Sequence, residues 1–316
     1  MITRDDIDTA RDRIAGRVRR TPMLDVGDAL GGQVVFKLEY LQHTGSFKAR
    51  GAFNRVLGAA ADGTLDPRVG IVVASGGNAG LANAFAARAL GVPATVVVPE
   101  TAPIVKVEKL RALGAQVVLH GREYALAYEA ALELAEASGA VFCHAYDQPE
   151  IVAGAGTIGL EILGDTEEVD EVDQVDQVDE VVVAVGGGGL MAGVAAAVEG
   201  VARVVAVEPR TIPTLHTALA GGGPVDVEVS GIAADSLGAR RVGEIAYDVA
   251  TRTGVESVLV EDDAIRQARR WLWEEYRIVV EHGAATALAA LTSGVHRPRG
   301  RVAVVLCGAN TDPMHW

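Results

Sequence analysis

Residues 71–90 read IVVASGGNAGLANAFAARAL, and the architecture of the chain follows from them. The first four residues form a short apolar run typical of a buried strand, and residues 81–90 are the alanine-rich and leucine-rich sequence of a helix. The small residues from Ser75 to Gly80 form a glycine turn between the two. A strand, a turn and a helix in this order begin a right-handed crossover, which predicts a parallel sheet.

The same alternation extends along the chain in both directions. A capping box from Thr3 to Asp6 begins an amphipathic first helix. We predict strands at 34–38, 71–74, 94–98, 116–119, 140–143, 181–185, 204–207 and 302–306. We predict further helices at 49–57, 81–90, 104–113, 124–138, 154–163, 190–198, 263–276 and 284–291. A chain of 316 residues is long for one core, so we expect an α/β protein with two lobes.

Composition and charge narrow the class of partner. The chain is 49% hydrophobic, contains 37 glycines and is only 4% aromatic, as expected of a tightly packed α/β protein. Its net charge of −14 disfavours nucleic acid and anionic membranes, so we expect a small-molecule partner. Cys143 and Cys307 form neither a disulfide framework nor a zinc motif. With a charged N-terminus that lacks an apolar signal segment, the chain is predicted to be cytoplasmic.

Residues 169–180 contain four tandem copies of a Val-Asp-x unit, with a carboxylate at every third position. Because the repeat is strongly acidic, we interpret it as a solvated connector without a catalytic role. A calcium site is the alternative, but the repeat lacks the glycine and the alternating ligands of a calcium loop.

Lys48 is the strongest candidate for a catalytic residue. Its neighbours Gly45, Ser46 and Ala49 are small and uncharged, and the aromatic Phe47 precedes it. Partial desolvation in such surroundings lowers the pKa of a lysine and frees its amine to attack a carbonyl. The alternative is a surface lysine at the start of a helix.

Two glycine turns, each between a strand and a helix, complete the set of candidate sites. The turn at Ser75, Gly76, Gly77, Asn78 and Ala79 offers backbone N–H groups to a substrate carboxylate. The turn at Gly186, Gly187, Gly188 and Gly189 offers its backbone to a phosphate. An aldehyde for Lys48, a phosphate and an amino acid carboxylate together describe pyridoxal 5'-phosphate with an amino acid substrate.

Four motifs in this order carry a family resemblance: SFKARG at 46–51, SGGNAG at 75–80, GGGGL at 186–190 and CGAN at 307–310. The chain resembles the serine/threonine dehydratase group of fold type II pyridoxal-phosphate enzymes, which includes threonine ammonia-lyases and serine racemases. The resemblance implies two three-layer lobes with mainly parallel sheets, similar to the tryptophan synthase β subunit. It also implies a large cofactor-binding domain (1–45 and 146–316), a small substrate-carboxylate domain (46–145) and a homodimer.

The resemblance also assigns roles to single residues. Lys48 would bind the cofactor aldehyde and act as the catalytic base. The other cofactor contacts would be Phe47, Asn78, Gly186, Gly187, Gly188, Gly189, Leu190, Glu281 and Cys307. Cys307 would face the pyridine nitrogen. A neutral thiol, unlike a carboxylate, does not hold this nitrogen protonated, so the ring is a weaker electron sink and β-elimination is favoured over transamination. For Glu281 the alternative is a helix cap. The implied reaction converts L-threonine or L-serine to a 2-oxo acid and ammonia.

Departures from the family pattern refine this hypothesis. Racemases of the group carry a serine two positions before the asparagine, where this chain has Gly76, so elimination is expected to exceed racemisation. Relatives bind a cation near a Glu-Pro pair like the one at Glu208, but Ile212 and Thr214 follow here instead of a second acid. We therefore predict no divalent metal, while a monovalent cation on backbone carbonyls stays open.

Other readings remain at this stage. A β-replacement synthase or a racemase of the same fold is the near alternative. A dinucleotide-dependent oxidoreductase is the alternative from another class, because Glu208 follows the glycine turn at the spacing of a ribose-binding acid. Met191, however, stands where the third glycine of that fingerprint belongs. A non-catalytic amino acid sensor would explain both turns but not Lys48.

Overall fold

The computed structural model describes residues 1–167 and 177–312. Its strands are β1 Met23–Gly27, β2 Val34–Lys37, β3 Ile71–Ala74, β4 Ala94–Val98, β5 Gln116–Leu119, β6 Val141–Cys143, β7 Glu180–Ala184, β8 Arg203–Pro209, β9 Glu256–Val260 and β10 Val302–Val305. Its helices are α1 Arg4–Ile14, α2 Lys48–Ala61, α3 Asn78–Leu90, α4 Ile104–Ala112, α5 Tyr124–Ser138, α6 Pro149–Glu167, α7 Gly189–Ala197, α8 Thr214–Gly221, α9 Ala234–Leu237, α10 Glu244–Thr253, α11 Asp262–Tyr276 and α12 His282–Thr292.

The strands form two sheets, as the alternating pattern predicts. A six-stranded sheet has the order β1-β2-β10-β7-β8-β9, and a four-stranded sheet has the order β5-β4-β3-β6. All neighbouring strands are parallel except β1 and β2, which are antiparallel. The predicted mainly parallel α/β fold is therefore confirmed.

The smaller sheet has helices on both faces. Successive residues of a strand point to opposite faces, and in β3 Ile71 and Val73 pack in one core with residues of α2, α3 and α4. Val72 and Ala74 point to the other face and pack against alanines of α5. The four residues of β3 are all buried, which explains their continuous apolar sequence.

The larger sheet is buried more deeply. All five residues of β7 and all four of β10 are buried, and every residue of α7 is buried as well. The helix α12 likewise has nine buried residues among its eleven. A single apolar core surrounds this sheet and includes Cys307.

Some elements differ from the sequence prediction. The strands β1 and β9 and the helices α8 and α10 were not predicted. The helix α6 begins at Pro149 rather than at residue 154. Gly154 is a helix-packing residue, because a Cβ there would lie 2.7 Å from the carbonyl oxygen of Arg50.

The interpretation of the acidic repeat needs a correction at its last copy. Residues 169–176, and with them the calcium alternative, lie outside the described residues. Val178 and Glu180, however, are fully buried, and Glu180 is the first residue of β7. The Glu180 carboxylate accepts a 2.6 Å hydrogen bond from the buried His296 ring, so a charged residue of the repeat is buried here because it has a partner.

No helix in the described part of the chain combines the length and the apolar character required to cross a bilayer. The 181–198 run, which is long and uncharged, forms a strand, a turn and a helix.

Candidate active site

The candidate residues lie where parallel strands end. The chain leaves the carboxyl end of β2 toward Lys48, β3 leads into the turn at Ser75, and β7 leads into the tetraglycine turn. The strand β10 ends two residues before Cys307. The crevice beyond the carboxyl ends of parallel strands is the usual ligand site of open α/β sheets.

Backbone hydrogen bonds hold the Lys48 segment against the Cys307 segment. The N–H of Phe47 donates to the carbonyl oxygen of Cys307 over 3.0 Å, and Ser46 forms an isolated β-bridge with Gly308. The N–H of Ala309 donates to the carbonyl oxygen of Gly45 over 2.9 Å. Two of the four motifs are thereby fixed next to each other.

Lys48 is the first residue of α2, and its amine is partly buried rather than solvated. The Nζ atom donates a 2.7 Å hydrogen bond to the carbonyl oxygen of Ala145 and lies 4.9 Å from the centre of the Phe47 ring. Burial lowers the pKa of Lys48 to about 8, although the nearby Cys307 and Glu281 act in the opposite direction. The Lys48 amine therefore lies in partly desolvated surroundings, as the sequence predicts, while its catalytic role stays a prediction. The contact with Ala145 was not predicted.

Asn78 connects three segments of the site. Its Nδ2 donates to Oε1 of Glu281 over 2.8 Å, and its Oδ1 accepts a 2.7 Å hydrogen bond from Nδ2 of Asn310. Asn310 also donates to the carbonyl oxygen of Thr44. Asn310 was not predicted as a site residue, although it is the last residue of the CGAN motif.

Glu281 occupies the N-cap position of α12, but its side chain makes no capping hydrogen bond. The carboxylate instead points to Asn78, so the cap alternative for the side chain is wrong. Burial raises the pKa of Glu281 to about 7, although the hydrogen bonds from Asn78 and Asn310 lower it. Gly308 is required beside it, because a Cβ there would lie 2.6 Å from Oε1 of Glu281.

Cys307 is buried and not disulfide-bonded. Burial, followed by the charge of Glu281, raises the pKa of its thiol far above the ordinary value, so the thiol is neutral at physiological pH. This is the protonation state that a neutral partner of a pyridine nitrogen must have.

The tetraglycine turn is glycine-rich for reasons of packing as well as ligand approach. A Cβ at Gly187 would lie 2.3 Å from the Tyr146 ring, and one at Gly189 would lie 2.6 Å from the carbonyl oxygen of Tyr146. Gly188 has a φ of +86°, and its Cβ would meet Ala246 at 2.4 Å. These contacts give the glycines a packing role, and their predicted role in phosphate binding stays a prediction.

Both turns present unused donors at the start of a helix. Within residues 1–167 and 177–312, no group accepts a hydrogen bond from the N–H groups of Gly187, Gly188 or Leu190 at the start of α7. The same is true, for the described residues, of Asn78 and Ala79 at the start of α3. Helix N-termini with free N–H groups favour anions.

Glu208 has a different task from the one a dinucleotide site requires. Its carboxylate accepts hydrogen bonds from the N–H groups of Leu215 (2.7 Å) and His216 (2.8 Å) and so caps α8. Burial raises its pKa to about 7. The Thr214 hydroxyl lies 2.9 Å from this carboxylate and 2.7 Å from the carbonyl oxygen of Gly186. The acid is therefore not available to a ribose. No group of three His, Cys, Asp or Glu side chains among the described residues is arranged to hold a metal ion.

A buried ionic network behind Lys48 was also missed by sequence analysis. Arg50 is fully buried, and its guanidinium binds the carboxylates of Glu39 (2.8 Å) and Glu161 (2.6 Å). Lys37, also fully buried, lies 2.9 Å from Glu161. The Arg50 of the SFKARG motif therefore fixes α2, and with it Lys48, to the segment that follows β2 and to α6.

The fold and the site define an α/β enzyme with a desolvated lysine and two strand-to-helix turns whose N–H groups are unused among the described residues. Residues 14–308 match the model of the family described as pyridoxal-phosphate dependent enzyme. The chain belongs to this family.

Similar proteins agree with the assignment. The chain is 36% identical to an L-threonine ammonia-lyase of Thermotoga maritima over 318 residues, covering 99% of this chain and 76% of the relative. It is 37% identical to a phenylserine dehydratase of Ralstonia pickettii over 310 residues, covering 96% of this chain and 91% of the relative. Among solved structures, the threonine deaminase of T.th. superposes with a TM-score of 0.87 at 34% identity, covering 98% of this chain and 99% of the other.

Pyridoxal phosphate fits the residues of this cleft. The amine of Lys48 is partly neutral near physiological pH because its pKa is lowered, as attack on an aldehyde requires. The unused N–H groups of the tetraglycine turn suit a phosphate. The buried hydroxyl oxygen of Ser46 has no hydrogen-bond partner among the described residues, which leaves a polar atom for a ligand beside Lys48.

Proposed function

We propose that this protein is a pyridoxal-phosphate dependent ammonia-lyase that converts L-threonine, L-serine or both to the 2-oxo acid and ammonia. The observation that carries the proposal is the desolvated Lys48 amine, with its pKa of about 8, between two turns with unused N–H groups. The net reaction needs no other reactant, because the water lost from the substrate is regained when the product is hydrolysed.

Each part of the cleft has a separate task in this proposal. The turn from Ser75 to Ala79 binds the substrate carboxylate through its N–H groups and so orients the Cα–H bond. The tetraglycine turn and Leu190 hold the cofactor phosphate. Lys48 would hold the cofactor, and its free amine would remove the proton from Cα. Phe47 would lie beside the cofactor ring, and Asn78 and Glu281 would position that ring.

Pyridoxal phosphate, when bound, supplies the ring that accepts electrons from Cα. The neutral thiol of Cys307 would donate a hydrogen bond to the ring nitrogen without protonating it, which would favour prompt loss of the β-hydroxyl. The base at Lys48 is the one base in this scheme, because Gly76 brings no side chain to the opposite face. Elimination is therefore expected to exceed racemisation, and β-replacement is the alternative that the product assay below tests.

The domain division and the assembly belong to the same proposal. Residues 46–145 hold every strand of the four-stranded sheet and would act as the small carboxylate-binding domain. Residues 1–45 and 146–316 would form the large cofactor-binding domain. We place the protein in the cytoplasm as a homodimer, with a monovalent cation near Glu208 as a further expectation.

The test is a panel of 3-hydroxy amino acids, assayed for 2-oxo acid and ammonia, with wild-type protein and Lys48→Ala. We expect turnover of threonine or serine, and a yellow colour that borohydride bleaches, only in the wild type. Circular dichroism of Lys48→Ala should match the wild type, because Lys48 is half buried at a helix start. Turnover by Lys48→Ala would refute the role of Lys48. A product that retains the amino group would favour a racemase or a β-replacement synthase.

A further inference from the structure

A second cleft adjoins the candidate active site on the side of Ala145. It has a volume of about 290 Å³ and is lined by residues of α5, of the segment after β6 and of the start of α10. Three of the six tyrosines of the chain line it, namely Tyr124, Tyr128 and Tyr146. In a protein with only 4% aromatic residues, this concentration marks the cleft as unusual.

The aromatic rings are arranged in one continuous row. The centre of the Tyr128 ring lies 6.1 Å from that of Tyr124 and 5.7 Å from that of His144. The His144 ring in turn lies 4.6 Å from the ring of Tyr146, nearly perpendicular to it. Both contacts of the His144 ring are edge-to-face, whereas the Tyr124 and Tyr128 rings are tilted by 36° to each other. Edge-to-face contacts at such distances are favourable for aromatic rings, and a further ring could make them here.

His144 contributes an uncharged ring to the cleft. Its Nδ1 accepts hydrogen bonds from the N–H groups of Tyr146 (3.1 Å) and Asp147 (2.8 Å), which places the ring proton on Nε2. Burial lowers the pKa of His144; the charge of Asp147 opposes this effect, and the charge of Lys48 adds to it. The neutral ring offers an aromatic face rather than a cation.

The cleft borders both reactive parts of the site. His144 and Tyr146 flank Ala145, whose carbonyl oxygen accepts the hydrogen bond from Lys48. The Tyr146 ring also lies directly over Gly187 of the tetraglycine turn. Since His144 and Tyr146 flank the residue that Lys48 contacts, a substrate whose amine lies near Lys48 can direct its side chain toward this cleft.

We propose that this cleft binds the side chain of the substrate and accepts an aryl group, so that 3-aryl-3-hydroxy amino acids such as 3-phenylserine are substrates. The inference rests on the proposed function and specifies its substrate class. The volume suffices, since a cavity of about 150 Å³ holds benzene in other proteins. The cleft is also lined by the charged residues Asp147, Arg241 and Glu244, so its apolar surface for an aryl group is mainly the row of aromatic rings.

The test uses ligands that cannot eliminate, so that binding is separated from catalysis. L-Phenylalanine and L-2-aminobutyrate both lack the 3-hydroxyl and differ in the aryl group. Titration calorimetry with the holoenzyme should show that L-phenylalanine binds at least fivefold more tightly. Tyr128→Ala should weaken the binding of L-phenylalanine at least fivefold and the binding of L-2-aminobutyrate less than twofold. The matched control is Trp273→Ala, which removes a half-exposed aromatic ring of α11 and should leave the affinity for both ligands unchanged.

A second variant keeps the test independent of folding effects in α5. Glu244→Trp places a large ring in the cleft from its exposed rim and should exclude L-phenylalanine while L-2-aminobutyrate still binds. The proposal is overturned if L-phenylalanine binds no more tightly than L-2-aminobutyrate. It is also overturned if Tyr128→Ala and Glu244→Trp weaken the binding of both ligands equally, because that result is expected if the cleft is only an entrance to the active site. Failure of the ammonia-lyase proposal would instead leave the binding differences intact while no 2-oxo acid is released.

Discussion

The Nδ2 atom of Asn78 donates a 2.8 Å hydrogen bond to the Glu281 carboxylate, which joins the start of α3 to the start of α12 across the cleft. Glu281 is 7% exposed, and burial raises its pKa from 4.5 to about 7. Between these two values the folded protein holds a proton on Glu281 that the unfolded chain has released. Folding stability contributed by this group is therefore fully present below pH 4.5 and is lost as the pH rises to 7.

Glu281→Gln removes this titration and keeps the shape of the side chain. Relative to the wild type, the free energy of unfolding of Glu281→Gln should increase as the pH rises from 4.5 to above 7. The change should reach up to about 3 kcal/mol, at about 1.36 kcal/mol for each pKa unit. Urea unfolding of the cofactor-free proteins across this range measures it, and parallel curves for the two proteins would contradict the assignment.

Cys307→Ala should lower the turnover number without abolishing it. Alanine removes the thiol hydrogen bond expected at the ring nitrogen, and a neutral hydrogen bond contributes about 1 kcal/mol, or roughly fivefold in rate. Cys307→Ser keeps a neutral donor and should retain most of the activity. Steady-state kinetics of the wild type, Cys307→Ala and Cys307→Ser measure the turnover numbers. An unchanged turnover number in Cys307→Ala would show that Cys307 does not take part in the active site.

Most of the fold could be predicted from local sequence, because the strands at the sheet centres are continuously apolar and are followed by helical patterns. β1 was missed because Asp25 interrupts its apolar residues, and β9 was missed although residues 258–260 are apolar, as are the last three residues of the predicted edge strand β5. Lys48 and Asn78 could be identified because each lies in a motif whose residues are contiguous in the sequence. Arg50 was not, because its partners Glu39 and Glu161 are remote in sequence and meet it only in the folded state.

Gly76→Ser should introduce racemisation. Gly76 has no positive φ, and a Cβ there would lie 3.4 Å from Cγ1 of Val98, so serine fits without strain. As the resemblance to the serine/threonine dehydratase group implies, racemases of that group carry a serine at this position as the second base. We expect D-serine to form from L-serine in Gly76→Ser, while Gly76→Ala, which adds the Cβ without the hydroxyl, forms none. Chiral chromatography of the reaction mixtures measures the ratio of D-serine to L-serine. Equal racemisation by both variants would exclude a role for the serine hydroxyl.

Arg50→Met should strongly destabilise the fold. The guanidinium balances the carboxylates of Glu39 and Glu161, and the buried Glu39 would have no cationic partner among the contacts that the structure shows. Loss of one partner from a buried ion pair costs about 3–5 kcal/mol, since a charge is left without compensation in a medium of low polarity. Burial raises the pKa of Glu161, but the hydrogen bond and the charge of Arg50 outweigh it and lower the pKa below the ordinary 4.5. The stability that this carboxylate contributes is therefore present above pH 4.5 and is lost as the pH falls through the lowered pKa, so the penalty should shrink at low pH.

The matched control for this prediction is Arg55→Met, on the same helix. Arg55 pairs with Glu150 over 3.2 Å, and both side chains are partly exposed, so its loss should cost less than about 1 kcal/mol. Adding Glu39→Gln to Arg50→Met should recover part of the stability, because it removes the uncompensated charge. Urea unfolding of the four proteins measures these differences. An equal cost for Arg50→Met and Arg55→Met would show that the buried network does not fix α2, and Lys48 would then depend on its backbone bonds to the Cys307 segment alone.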